Sequence, residues 1–177
     1  HNAPPIAGTV GFPFGFKNID TLCRATKAAG WGILIIAAGA TVEQCEEWQR
    51  LNPNAEIRCG FWARQEVVRM LAECDASIFH STSGNSGTTG PIRLALAAGR
   101  PIISTGARVN RQIRDLAGED AILWADSEER LTELLKVLVD EPITYSAYTV
   151  SVRELAAKDS WENLARAYAG IYEGVMR

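Results

Sequence analysis

The stretch Ser83-Gly84-Asn85-Ser86-Gly87-Thr88-Thr89-Gly90-Pro91-Ile92-Arg93 holds residue types suited to gripping an anion. It follows Ala76-Ser77-Ile78-Phe79, which reads as a buried strand, and leads into Ile92 to Ala98, which reads as a helix. Pro91 suits the first helical position, because the N–H it lacks would have no intrahelical partner there. A loop of glycines and hydroxyls that opens a helix presents free backbone N–H groups and the positive end of the helix dipole, and phosphate is the usual biological occupant of such a place. Ser86, Gly87, Thr88, Thr89 and Gly90 are therefore candidate phosphate-binding residues. Arg93 falls in the first helical turn, where the dipole disfavours a cation. It calls for an anionic partner, either a ligand phosphate or a nearby carboxylate. A second loop, Gly11-Phe12-Pro13-Phe14-Gly15-Phe16-Lys17, adds a glycine and a lysine after an earlier strand. His80 ends its strand either as a satisfied structural histidine or as a ligand contact. Asn85 either sets a turn or touches a ligand. Arg108, Arg111 and Arg114 read as a solvated helix face.

The elements that must position these residues alternate between strand and helix. Ile6 to Phe12 reads as a first strand. Asn18 caps a helix to about Ala29 whose inner face carries Ile19, Leu22, Cys23 and Thr26, and Gly30 stops it. Trp31 to Ala37 is a continuous apolar run, as expected of a strand covered on both faces. Thr41-Val42-Glu43-Gln44 is a capping box, and Val42, Cys45, Trp48 and Leu51 follow at helical spacing up to Asn52-Pro53. A strand at Ala55–Gly60, a helix at Gln65–Glu73, a strand at Asp75–His80, a strand at Pro101–Ser104, a short helix near Val109–Leu116 and a strand at Ala121–Trp124 follow. Asp126-Ser127-Glu128-Glu129 caps a helix with Leu131, Leu134, Leu135 and Leu138 inward. The tail from Tyr145 is helical and divides near Lys158-Asp159-Ser160, with Trp161, Tyr168 and Tyr172 expected to pack it onto the domain.

This alternation predicts an α/β fold: a doubly wound, Rossmann-like parallel sheet of six strands with helices on both faces and a C-terminal helical tail. The division expected is a nucleotide-type domain over 1–144 and the tail over 145–177. In such sheets ligands sit beyond the carboxyl ends of the strands, where strand order reverses. The order 3-2-1-4-5-6 places that reversal between the first and fourth strands, so the two richest loops would flank one crevice.

Composition excludes several other roles. The chain has 177 residues, 47% hydrophobic and 22% charged, with a net charge of -3, so no global basic field points to nucleic acid. The apolar run Trp31 to Ala38 is too short to span a bilayer, and His1-Asn2-Ala3-Pro4-Pro5 has neither the basic nor the apolar region of a signal peptide. A cytoplasmic piece of a longer protein is expected. Cys23, Cys45, Cys59 and Cys74 form no C-x-x-C pair and read as four reduced, small core residues.

The residues also carry a family resemblance. Gly11 with Lys17-Asn18, Cys74-Asp75-Ala76, Ser86-Gly87, the run Leu94-Ala95-Leu96-Ala97-Ala98-Gly99-Arg100-Pro101-Ile102-Ile103 and a late Ser160-Trp161-Glu162 resemble, in order along nearly the whole chain, the C-terminal donor-binding half of family 4 GT-B glycosyltransferases. The run from Ala95 to Ile103 is similar to that family's EAMACGxPVV signature, and Ser160-Trp161-Glu162 to its closing SWE. The resemblance implies transfer of a hexose-type sugar from a nucleoside-diphosphate sugar, without a metal or other cofactor. The acceptor, a carbohydrate or a lipid-linked molecule, would be held by an N-terminal domain absent from this chain. It also implies polysaccharide biosynthesis in a bacterium, and peripheral association of the full-length protein with the inner face of the membrane.

Lys17 matches the family lysine on the donor diphosphate, and Gly11 the glycine that lets the donor approach. Phe61 and Trp62 follow the third strand, where the family's loop borders the base. They either pack on the base or cover the core, the core being the expectation for them. His80 and Asn85 are further candidates for sugar or base contacts. The chain departs from the pattern at three places. Phe12 stands where the family has an arginine, and Ser86 and Leu94 stand at its Glu-x7-Glu pair. Two alternatives follow: a catalytically degenerate binding or scaffold module, and a nucleotide-sugar epimerase-like enzyme on the same architecture.

Overall fold

The computed structural model describes residues 3–82, 90–105, 113, 115 and 121–175, with the backbone alone at 161, 164, 174 and 175. The elements run β1 (Ile6–Gly11), a short 3-10 turn (Gly15–Lys17), α1 (Ile19–Ala28), β2 (Gly32–Ala37), α2 (Val42–Leu51), β3 (Ala55–Cys59), α3 (Arg64–Glu73), β4 (Ala76–Phe79), α4 (Gly90–Ala98), β5 (Ile102–Ser104), β6 (Leu123–Trp124), α5 (Glu128–Asp140), α6 (Pro142–Lys158) and α7 (Trp161–Val175). The sheet order is β3-β2-β1-β4-β5-β6 and its pairings are parallel. This is the expected α/β, Rossmann-like architecture, with the reversal between β1 and β4.

Two cores form because strand side chains alternate between faces. Ile33 and Ile35 of β2 join Ala7, Leu22, Trp48, Leu131 and Leu135 on the face covered by α1, α2 and α5. Leu34 and Ile36 join Leu71, Ile92, Leu96, Val152 and Leu155 on the face covered by α3, α4 and α6. Every residue of β2 is buried, which is why its sequence is apolar without alternation. Close packing also explains Gly8: a Cβ there would lie 2.8 Å from Leu71 Cδ2 and 2.9 Å from Cys74 Sγ.

Several expectations need correction at their edges. Trp31 precedes β2, because its N–H donates to Thr26 O at 2.8 Å and closes the end of α1. Asn18 sits at the cap position of α1 but makes no side-chain cap bond. The capping box of α2 is present, with Thr41 Oγ1 accepting from Gln44 N–H. Val42, however, is 69% exposed, because it stands in the outermost turn and Trp48 is the buried anchor of that helix. Gly90, one residue before Pro91, opens α4. Cys23 and Cys74 are buried as expected, whereas Cys45 is half-buried and Cys59 is exposed at the end of the edge strand β3. The short helix expected near 109–116 lies largely outside the described residues.

The tail divides where expected. Ser160 Oγ accepts from Asn163 N–H at 3.3 Å and opens α7. Residue 145 falls inside α6, not at its start. Tyr145 Oη donates to Asp75 O at 3.0 Å and Val152 and Leu155 are buried, so α6 is anchored to the sheet domain. Tyr168 and Tyr172 of α7 are exposed rather than packed. They share a stripe with Ile171, and no described element covers it.

Candidate functional site

The backbone at the end of β1 brings the site together. Gly11 has φ +150°, a conformation that side chains disfavour. A Cβ at Gly11 would lie 4.0 Å from Lys17 Cε and 3.9 Å from Pro91 Cγ. The end of the lysine side chain and the first turn of α4 therefore both approach Gly11. The loop after β1 reaches this point through a tight turn, with Phe14 N–H donating to Phe12 O and Lys17 N–H to Phe14 O, both at 2.8 Å. The loop after β4 joins it: Thr82 N–H donates to Phe16 O at 3.0 Å, and Asn18 Nδ2 lies 3.2 Å from His80 Nδ1. Ser81 N–H donates to Thr105 Oγ1 at 3.0 Å, which ties this loop to the end of β5.

These loops border a cavity of about 930 Å³ whose lining includes Gly11, Lys17, Gly90, Arg93 and Phe61. A smaller pocket of about 20 Å³ adjoins it at Gly11, Phe12, Lys17 and Pro91 and adds His80 and Ser81. Asn85, Ser86, Gly87, Thr88 and Thr89 lie outside the described residues.

Electrostatics distinguish Lys17 from Arg93. Lys17 is half-buried, and that burial lowers its pKa. Its Nζ stands 5.6 Å from the centre of the Phe16 ring, a cation–π contact. It forms no ion pair among the described residues. Arg93 is engaged: its Nη1 lies 3.0 Å from Asp159 Oδ2. Of the two partners open to it from the sequence, the structure shows the carboxylate. The buried Nε of Arg93 finds no hydrogen-bond acceptor among the described residues. His80 is also half-buried, and desolvation lowers its pKa, opposed by the Glu128 charge. With Asn18 Nδ2–H as donor, Nδ1 is the acceptor of a neutral ring and Nε2 carries the proton.

Aromatic residues form the rim. Phe12 and Phe14 stack at 5.7 Å between ring centres, and Phe14 and Phe16 at 5.5 Å. Phe61 meets Phe12 edge-on at 6.1 Å and is 85% exposed, so it does not cover the core as expected. It stands at the cavity mouth because the chain leaves the sheet at the end of β3. Asp159 and the Asn18–His80 contact were missed from sequence. Each is a pairing between distant segments, and only the helical break at Lys158-Asp159-Ser160 hinted at the first. Among the described residues no cluster of three or more His, Cys, Asp or Glu is placed to hold a metal ion. None of their helices is long and apolar enough to cross a membrane.

No family model and no curated protein matches this sequence. The fold has close counterparts among solved structures. The pneumococcal O-GlcNAc transferase GtfA, in complex with UDP and GlcNAc, is similar over 98% of this chain and 36% of its own, at TM-score 0.74 and 16% identity. Anabaena HepE in complex with UDP is similar over 98% of this chain and 49% of its own, at TM-score 0.77 and 13% identity. WaaG, a glycosyltransferase involved in lipopolysaccharide biosynthesis, is similar over 97% and 47%, at TM-score 0.71 and 19% identity. The chain thus has the fold of one part of GT-B glycosyltransferases and spans less than half the length of these structures.

Proposed function

We propose that this chain is the donor-binding half of a glycosyltransferase that moves a sugar from a nucleoside diphosphate to a carbohydrate or lipid-linked acceptor. The observation that carries the reading is Lys17: a half-buried cation with no carboxylate partner among the described residues, lying near Gly11 and the first turn of α4 at the wall of a ligand-sized cavity. A diphosphate there would meet the lysine charge and the positive end of a helix together, relieving the desolvated cation. During transfer, negative charge grows on the departing diphosphate, and groups already aimed at it favour the transition state over the ground state. Lys17 and the N–H groups at the start of α4 would supply that stabilisation, with the hydroxyl loop Ser86 to Gly90 as further donors. No metal ion is needed in this scheme.

The exposed Phe61 ring at the mouth offers a face for a nucleobase, and the Nε2–H of His80 offers a donor for a sugar or phosphate oxygen. Acceptor binding would belong to a second domain, and the uncovered stripe of Tyr168, Ile171 and Tyr172 on α7 fits contact with it. The full-length protein would then work in the cytoplasm, at the inner face of a membrane where its acceptor is lipid-linked.

A second reading, a degenerate module that binds a partner or holds an assembly together without transfer, draws on Phe12 and Leu94. The Leu94 side chain packs against the core and gives a sugar or ribose no polar atom. Calorimetric titration with UDP, GDP, ADP and the matching monophosphates tests the first reading. It predicts saturable binding with a clear preference for one diphosphate over its monophosphate. Equal, non-saturating heats from all of them would favour the scaffold.

A further inference from the structure

Outside the cavity, one pair of reactive groups stands within reach of a covalent bond. Cys45 lies in the first half of α2 and Cys59 is the last residue of β3. Their sulfurs are 3.4 Å apart, and both thiols are free. A disulfide needs the sulfurs to close to about 2.05 Å, and at 3.4 Å they are already in van der Waals contact. Cys59 is exposed and Cys45 half-buried behind it, the arrangement of an attacking thiol backed by a resolving one.

We propose that Cys45 and Cys59 form a reversible disulfide, a redox modification site that links α2 to the edge strand of the sheet. The oxidant is a low-molecular-weight disulfide. The Cys59 thiolate attacks one of its sulfurs, forms a mixed disulfide and expels one thiolate. The Cys45 sulfur, giving its proton to that leaving thiolate, then attacks Cys59 Sγ and expels the second. Two protein thiols lose two electrons and two protons, and one small disulfide becomes two thiols. Burial, together with the hydrogen bond to Cys59, pushes the Cys45 thiol up to about 11. Cys23 and Cys74 are buried and pushed up to about 12, which keeps them out of the exchange. Cys59 immediately precedes Gly60, Phe61 and Trp62, which line the cavity. The bond would therefore tie that wall to α2.

The test is exchange of the fully reduced protein with mixtures of reduced and oxidised glutathione, alkylative quenching and peptide mapping. The expected result is loss of two alkylatable thiols and a Cys45–Cys59 linked peptide that dithiothreitol removes. Cys45→Ser should stop the reaction at a glutathione adduct on Cys59, and Cys59→Ser should abolish it. A stable glutathione adduct on wild-type Cys59 with Cys45 still free would overturn the proposal. So would both thiols remaining free while Cys59 is alkylated readily.

Discussion

Burial gives individual polar residues of this domain their chemical character. Desolvation lowers the His80 pKa against the opposing Glu128 charge, so its folded value lies below the unfolded one of about 6.5. Its contribution to stability is therefore complete above the unfolded pKa and is lost as pH falls through the folded pKa. Urea midpoints measured from pH 8 to pH 5 should decline on the acid side, and His80→Gln should flatten part of that decline. An unchanged slope in the variant would mean the ring is not the group responsible. Asn52 belongs to the same scale. Its Nδ2 donates to Thr26 Oγ1 at 3.0 Å and Trp31 O at 3.1 Å, and its Oδ1 accepts from Asn54 N–H at 3.0 Å, all within the core or at its border. Asn52→Ala leaves the Trp31 carbonyl without this donor and should cost about 1–3 kcal/mol. Equilibrium unfolding reads that loss directly, and a change below a few tenths of a kcal/mol would show that water replaces the amide.

The elements bring the loops together by packing. Helix α3 presses so closely on β1 that Gly8 has no room for a methyl group. Gly8→Ala should destabilise the fold by about 1–3 kcal/mol through overpacking, seen as a lower denaturation midpoint at constant slope. A neutral effect would mean that Leu71 and Cys74 shift freely. Much at this scale was legible in the sequence. The unbroken apolar run of β2 reflects burial on both faces, the Thr41–Gln44 box is a local signal, and right-handed crossovers between parallel strands leave few sheet orders. Together these put the loops after β1 and β4 beside one another. The remainder depended on contacts between segments far apart in the chain. Asn18 has the residue type of a cap, but its side chain goes to His80, 62 residues away. Arg93 announced a need for an anion without revealing that Asp159 meets it. Tyr168 and Tyr172 have the spacing of a buried face, and spacing alone does not say which surface covers it.

At the scale of the molecule, a sheet with its order reversed at β1 and β4 puts a cavity, a helix start and a desolvated lysine in one place. The fold is shared with glycosyltransferase structures of which this chain spans less than half; on the proposed reading, with the acceptor held elsewhere, the chain by itself should bind a donor nucleotide without turning it over. Its affinity should still depend on Lys17. The most direct test is calorimetry of the tightest-binding nucleoside diphosphate on the wild-type chain and on Lys17→Ala, with circular dichroism to show that both are folded. Losing one charge-assisted contact of about 1.5–3 kcal/mol should weaken binding roughly ten- to hundredfold. Equal affinity in the two proteins would contradict the assignment of this cavity as a diphosphate site.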